Sequence, residues 1–264
     1  MAPPPEAVVL TEPAPGVRLI TLNRPDVRNA MTADMTTAWD QAINAVAADR
    51  QVRALVVTGA GSSFCSGADL SWLDQTAAED VTTDRLRDRM LPFYRSWLAP
   101  RELPFPVIAA VNGPVVGAGV CLALACDIRI SSPEAHFSTP FIFLGTHGGM
   151  GATWLLPEAI GVPRAREMLY TGRQVFADEA LAWGLVSDVT EDVLTQALEV
   201  ARRIASAGPI ALRLTKVGLS QAAAGLEAAI QWEALAQPVT MTTADLHEGV
   251  EAVRTNRAPV FQGH

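Results

Sequence analysis

Two glycine-rich stretches carry the residue types that could do chemistry in this chain. Residues 60–70 read A-G-S-S-F-C-S-G-A-D-L and follow the apolar run 54–58, and residues 112–127 read N-G-P-V-V-G-A-G-V-C-L-A-L-A-C-D and follow the run 107–111. Each stretch, together with the apolar run before it, predicts a strand, a turn and then the start of a helix. In the second stretch, this helix is predicted to start near Gly117. The first amides of a helix lack intrahelical partners and lie at the positive end of its dipole, so they suit an oxygen atom that is gaining negative charge.

Two such junctions can direct two main-chain N–H groups at one carbonyl oxygen, which is the arrangement of an oxyanion hole. Gly117 and Gly119 would let a ligand approach the backbone closely, because neither has a Cβ atom. For the second stretch alone, close packing of a small-residue helix on a sheet is an equally good explanation. The two stretches together favour the oxyanion hole.

Apolar periodicity predicts the elements that must position these loops. Val17–Leu22 and Ile128–Ser131 have the composition of strands, and Thr32 is placed to cap a helix. The apolar face of that helix is formed by Met35, Trp39, Ile43 and Val46. The proline-rich residues 1–16 are predicted to be mobile at their start.

The rest of the chain reads mainly as helix. Amphipathic helices are predicted at 158–170 and 178–182, and the Ala-rich residues 192–257 read as further helices, with Pro209 starting a new one. The segment 69–103 is helical in character but charged and interrupted. The recurring strand–strand–helix order of the first half suggests stacked similar turns, although we find no repeat of fixed period.

Composition limits the functional class. The 264 residues suffice for one large α/β domain, or for one with a small helical appendage, and 49% of them are hydrophobic. The net charge of −8 argues against a nucleic-acid-binding surface. The three cysteines have no metal-ligand spacing, so no metal site is expected and the thiols should be reduced. With no signal-peptide pattern and no apolar run of membrane-spanning length, the expected location is cytoplasmic, without membrane insertion.

The segment F-C-S-G-A-D-L, together with P-V-I-A-A-V-N-G-P-V-V-G-A-G-V-C-L-A-L-A-C-D-I-R-I, resembles the crotonase family of enoyl-CoA hydratases and isomerases. The resemblance extends from about residue 17 to residue 261. It implies an α/β spiral of strand–strand–helix turns over residues 1–200. A C-terminal helical region over residues 201–264 would then serve trimerisation and CoA contact, in a homotrimer or a dimer of trimers.

The resemblance also implies a mechanism, in which the carbonyl of an acyl-CoA thioester accepts hydrogen bonds from the main-chain amides of Ala68 and Ala118. Its enolate-like form is thereby stabilised, and coenzyme A enters only as part of the substrate, with no separate cofactor. The acyl pocket could be lined from Trp72, Leu73, Met90, Phe93 and Trp97, the alternative for each being ordinary core packing. The implied substrate-binding positions are Arg28, Ala30, Ser66, Gly67, Asp69, Leu70, Ser71, Gly117, Phe141, Gly149 and Arg257.

The acid/base groups of the family are not matched. The positions of its usual carboxylates hold Cys121, Phe141 and Gly149, so ordinary water addition is predicted to be weak or absent. His147 could replace them as a catalytic group, the alternative being a structural histidine. Cys121 could be a nucleophile if its thiol were activated, the alternative being an inert buried cysteine.

Three functions therefore stay open from the sequence. The chain could be an enzyme of acyl-CoA and fatty acid metabolism with a non-standard proton-transfer group. It could be a non-catalytic acyl-CoA-binding protein, or a CoA-thioester hydrolase.

At the C-terminus, the family's usual lysine position holds Asn256, so Arg254 or Arg257 would have to supply the phosphate contact, unless both face solvent.

Overall fold

The computed structural model describes residues 6–69, 82–221 and 225–264. The strands are β1 Val8–Ala14, β2 Val17–Leu22, β3 Ala54–Gly59, β4 Val107–Val111, β5 Val115–Val116, β6 Ile128–Ser131, β7 His136–Ser138, β8 Val175–Phe176 and β9 Asp188–Val189. The helices are α1 Ala33–Ala48, α2 Thr83–Leu98, α3 Ala118–Ala125, α4 Ala152–Ile160, α5 Val162–Thr171, α6 Ala177–Trp183, α7 Val193–Ala205, α8 Pro209–Gln221, α9 Leu226–Met241 and α10 Ala244–Thr255.

The larger sheet has the strand order β1-β2-β3-β4-β6-β9, and its strands are parallel except for β1. Every residue of β3 and β4 is buried, as expected for strands covered on both faces. Alternate residues face two cores: Leu55 and Val57 pack with α1 and α3, whereas Ala54 and Val56 pack with α7. The continuous apolar runs before the two glycine-rich loops therefore have a structural cause.

The smaller sheet joins β5, β7 and β8. The strand β5 follows β4 after a short turn and leads directly into α3, and β6 and β7 repeat the strand–strand step before α4. The predicted α/β architecture with recurring strand–strand–helix turns is confirmed. Thr32 also caps α1 as predicted, since its side chain accepts a hydrogen bond from the Met35 amide, and the predicted apolar face of α1 is buried.

One prediction for local structure was wrong, and another is not tested. The start of the chain, predicted to be mobile, has its first five residues outside the described ones, and the later part of the proline-rich stretch forms β1, which pairs antiparallel with β2 at the edge of the sheet. Pro13 is tolerated there because its missing N–H falls where the pairing shifts, between Thr11 and Ala14. The helix predicted at 158–170 is in fact α4 followed by α5, because Gly161 interrupts it with a φ of 77°.

A lysine links α8, in the C-terminal region, to the start of β4. The helix α7 spans residue 200 and packs on the sheet, and α8 begins at Pro209 as predicted. Lys216 of α8 donates to Asp127 Oδ2 at 2.7 Å and to the carbonyls of Pro100 and Phe105 at 3.0 Å each. Asp127 Oδ2 also accepts from the Val107 amide at 2.7 Å, so this contact reaches the first residue of β4.

Candidate active site

The two glycine-rich loops lie against each other, backbone to backbone. The Phe64 amide donates to Pro114 O at 3.2 Å, and the Val116 amide donates to Cys65 O at 3.0 Å. A Cβ atom added to Gly113 or Gly119 would overlap a carbonyl group of the facing loop. The glycines are therefore required by the closeness of the two chains.

The amides of Ala68 and Ala118 belong to one small surface between these loops. A Cβ atom added to Gly67 would lie 3.0 Å from Ala118 N and 2.5 Å from Val116 O, and the next residue is Ala68. Gly67 and Gly117 have φ values of 86° and 56°, which favour glycine. Within the described parts of the chain, neither the Ala68 nor the Ala118 amide donates to a protein acceptor, so both are available to a ligand oxygen.

A third loop holds the first glycine-rich loop in place. The Ser66 amide donates to Arg28 O at 3.0 Å, and the Met31 amide donates to Gly67 O at 2.8 Å. Arg28 and Asn29 have φ values of 52° and 55°. The Arg28 side chain is exposed, and Ala30 is buried behind it.

Asn29 is a positioning residue that sequence reasoning missed. Its side chain is fully buried, donates to Ala60 O at 3.0 Å and Ser63 O at 2.8 Å, and accepts from the Arg24 amide at 2.9 Å. Asparagine tolerates the left-handed backbone better than most residues. Nothing in the polar sequence before it, N-R-P-D-V-R, marks this side chain as buried.

Three positions predicted from the resemblance converge beside Gly117. Cys121 lies one turn of α3 after Ala118, and its thiol donates to Gly149 O at 3.6 Å and to Gly117 O at 3.9 Å. The Phe141 ring would lie 3.7 Å from a Cβ atom on Gly117. A thiol, an aromatic ring and a hydrogen atom thus stand at the three positions where the family resemblance would place a carboxylate.

Burial raises the pKa of Cys121 to about 12, so its thiol is protonated at neutral pH. This argues against an activated nucleophile, which would need a lowered pKa. Cys65 and Cys126 are also buried, and burial raises their pKa to about 12 as well.

Tyr94 of α2 enters the same region and was missed in the sequence. A Cβ atom added to Gly149 would lie 2.5 Å from Tyr94 Oη, so the hydroxyl packs directly on the Gly149 backbone. Burial raises the pKa of Tyr94, while hydrogen bonding from the Met150 amide acts to lower it and nearby Cys121 adds to the rise. The available signal was its spacing from Met90 and Trp97, since i, i+4 and i+7 share one helix face.

Two tryptophans fix the end of α2 that carries Tyr94. Trp39 of α1 stacks on Trp97 with 4.8 Å between ring centroids. Trp39 Nε1 donates to Ser96 O at 3.0 Å, and Trp97 Nε1 donates to Thr36 Oγ1 at 3.1 Å. Trp97 is fully buried in the core, so it has the same core-packing role as Trp39.

The other predicted site residues are spread around this centre. Ser66 Oγ donates to Val27 O at 3.3 Å, and Asp69 is half-buried next to Ala68. His147 is exposed in the loop before Gly148. Leu70, Ser71, Trp72 and Leu73 lie outside the described residues.

Arg257 is engaged within the chain. Its guanidinium makes a two-point ion pair with Glu248, with N–O distances of 2.6 and 2.8 Å. The neighbouring candidate, Arg254, is exposed on α10. If Arg257 contacts a phosphate, it must share its donors with Glu248 or leave it.

Neither a metal-binding cluster nor a membrane-spanning helix is present in the described residues. No three His, Cys, Asp or Glu side chains of residues 6–69, 82–221 and 225–264 are grouped so that they could hold a metal ion. Over the same ranges, none of the helices is both long enough and apolar enough to cross a bilayer.

Comparison with known proteins agrees with the fold. The family model for enoyl-CoA hydratase/isomerase matches residues 12–264. The Mycobacterium tuberculosis H37Rv protein named probable enoyl-CoA hydratase EchA12 is 41% identical over 262 residues, covering 96% of this chain and 92% of that protein. The (E)-benzylidenesuccinyl-CoA hydratase of Thauera aromatica is 38% identical over 261 residues, covering 94% of this chain and 96% of that protein.

A solved structure has the same architecture. An enoyl-CoA hydratase from Bacillus anthracis superposes with a TM-score of 0.91 at 33% identity, covering 98% of this chain and 100% of that chain. The family-model match and these similarities extend over nearly all of the sequence. The chain therefore belongs to the enoyl-CoA hydratase/isomerase family, also called the crotonase family.

Proposed function

We propose that this protein binds an acyl-CoA thioester and stabilises its enolate form, with the amides of Ala68 and Ala118 donating to the thioester oxygen. The observation that carries the proposal is the pair of main-chain donors beside Gly67 and Gly117, which no acceptor of the described chain uses. Loss of one donor of this kind commonly slows a reaction about 10²–10³-fold. Family membership and the names of the relatives support a CoA thioester as the ligand.

The reaction that follows enolate formation needs a proton-transfer group other than the usual carboxylates. Cys121, Phe141 and Gly149 contribute no carboxyl group at the three positions where the family resemblance would place one. We therefore propose hydration, isomerisation or a related step with a non-standard acid/base residue. Crotonyl-CoA hydration should be well below the ordinary enzyme range of about 10–10³ per second, and a rate within that range would contradict this part.

Binding can be tested by isothermal titration with crotonyl-CoA, longer acyl-CoAs and CoA alone. Gly67→Ala should weaken binding of the thioesters, because the new Cβ would lie 2.5 Å from Val116 O and 3.0 Å from Ala118 N. The matched control is Gly145→Ala, where φ is also positive at 68° but nothing lies within 4 Å of the added Cβ. Both variants share the backbone strain of about 1–2 kcal/mol, and only one disturbs the proposed hole.

Three outcomes of the titration are informative. No heat for wild type across all chain lengths would refute the proposal. Equal loss of affinity in both glycine variants would assign the effect to backbone strain and leave the hole without support. Selective loss in Gly67→Ala is the expected result.

Two alternatives are kept. The missing carboxylates favour a non-catalytic acyl-CoA-binding protein, and a main-chain oxyanion hole would also fit a CoA-thioester hydrolase. A non-catalytic acyl-CoA-binding protein would bind without any turnover or proton exchange at the substrate. A CoA-thioester hydrolase would release free CoA thiol, which a thiol reagent measures directly. A cytoplasmic location stays a prediction from the sequence pattern. A homotrimer or dimer of trimers, substrate binding by Arg28 and a phosphate contact by Arg257 stay predictions of the family resemblance.

A further inference from the structure

We propose that the Tyr94 hydroxyl is the proton-transfer group of this site, giving its proton to the α-carbon of the bound thioester enolate and removing one in the reverse direction. This inference rests on the proposed function, because it requires a thioester whose oxygen is held at Ala68 and Ala118. It adds a residue, on a different element, to a site otherwise made of main-chain groups.

The position of the hydroxyl is the first argument. Tyr94 Oη stands where a side chain at position 149 would begin, 2.5 Å from a Cβ built on Gly149. The Gly149 carbonyl is 3.6 Å from Cys121 Sγ, and Cys121 lies one helical turn after Ala118. A hydroxyl on α2 is thereby brought to the group of residues that surrounds the proposed hole.

The surroundings of the hydroxyl suit a proton donor. Burial raises the pKa of Tyr94, so the phenol keeps its proton at neutral pH. The Met150 amide favours the phenolate by hydrogen bonding, which stabilises the form left after the proton is given away. Met150 is buried with a φ of 53°, a conformation that is uncommon for non-glycine residues and is found enriched at functional sites.

The other titratable groups near Tyr94 are less suited. Cys121 faces it from α3, but burial raises the pKa of this thiol to about 12 and its weak S–H donor is directed at carbonyl groups. His147 belongs to the neighbouring loop and is exposed. Asp40 of α1 accepts a hydrogen bond from Ser96, so its carboxylate is already engaged.

The chemical step balances without an added reactant. The O–H bond of Tyr94 breaks as a C–H bond forms at the α-carbon, and the enolate electrons return to re-form the carbonyl π bond. The phenolate that remains takes a proton from water, which the half-buried position of Tyr94 allows. In reverse, the phenolate removes the α-proton and the hole holds the enolate oxygen.

Deuterium uptake at the α-carbon of butyryl-CoA in D₂O tests this step directly, because a saturated thioester cannot undergo hydration. Wild type should incorporate deuterium, and Tyr94→Phe should do so at least about 100-fold more slowly, with thioester affinity unchanged within about twofold. Tyr170→Phe is the matched control, since Tyr170 is 68% exposed and lies on α5. That variant should behave as wild type.

The pH dependence separates proton transfer from a structural role. The chain has two tyrosines, so biosynthetic fluorotyrosine in the Tyr170→Phe background labels Tyr94 alone. Fluorination lowers the pKa of a phenol, so the rate of exchange should reach its plateau at lower pH in the labelled protein. A merely structural tyrosine would leave the pH profile unmoved.

The outcomes distinguish the two proposals. If wild type and Tyr94→Phe exchange deuterium at the same rate, the role of Tyr94 is overturned and the proposed function stands. Binding without exchange in wild type also overturns it and favours a non-catalytic binder. Absence of thioester binding in wild type overturns the proposed function and this inference together.

Discussion

Asn29→Ala should destabilise the protein strongly, although residue 29 lies in a loop. The side chain of Asn29 is fully buried and makes three hydrogen bonds, to Ala60 O, Ser63 O and the Arg24 amide, over 2.8–3.0 Å. Each buried main-chain group left without a partner costs about 1–3 kcal/mol. Alanine also tolerates the φ of 55° less well than asparagine.

These contributions are not fully additive, so we expect a loss of about 3–5 kcal/mol in the free energy of unfolding. Urea unfolding at fixed protein concentration measures it. Asn23→Ala is the matched control, because Asn23 makes one exposed side-chain hydrogen bond, to Glu6 O at 3.0 Å. Its loss should stay within about 0.5 kcal/mol.

The variant should also weaken acyl-CoA binding, because the Asn29 loop holds the Ser66 and Gly67 backbone. A shift of the unfolding midpoint no larger than that of Asn23→Ala would refute the reasoning. The two loops would then be joined by main-chain contacts alone.

Two further predictions concern titratable groups. All three cysteines are buried, and burial raises the pKa of each thiol to about 12. A thiol reagent at pH 8 should therefore modify none of them in the native protein and all three in urea. Rapid labelling of Cys121 in the native protein would show that its thiol is accessible and activated. Hydrogen bonds from the Arg257 guanidinium and then the Val260 amide lower the pKa of Glu248 to about 2 from an ordinary 4.5, so this pairing is fully present above pH 4.5 and is lost as the pH falls towards 2. Hydrogen exchange at the Val260 amide, corrected for its intrinsic rate, should accelerate through that window in wild type, and Glu248→Gln should show no such transition.

Local signals in the sequence were enough for the main elements. Continuous apolar runs predicted β3 and β4, the Thr32 cap predicted the start of α1, and Pro209 predicted the start of α8. Glycine-rich segments after the strands predicted the two facing loops. In each case, the residues that determine the structure are neighbours in the chain.

The missed features depend on residues far apart in sequence. Tyr94 meets Gly149 of a distant loop, from the helix whose end is held by stacking of Trp39 on Trp97. Asn29 contacts carbonyl groups more than thirty residues away, and no periodicity marks such a partner. Gly161 was a local signal for a helix break. It was overlooked because the amphipathic pattern continues on both sides of it.

Because Tyr94 contacts Gly149, large side chains at both positions would occupy the same space. A side chain at 149 would need its first carbon atom 2.5 Å from the phenolic oxygen, so a larger residue there requires a smaller or displaced one at 94. In related proteins, a reactive side chain could therefore be carried either by the loop at position 149 or by the helix at position 94, if the sizes of these two residues are exchanged. The two positions should therefore covary among relatives, whereas the main-chain amides proposed to face a thioester oxygen do not depend on that exchange.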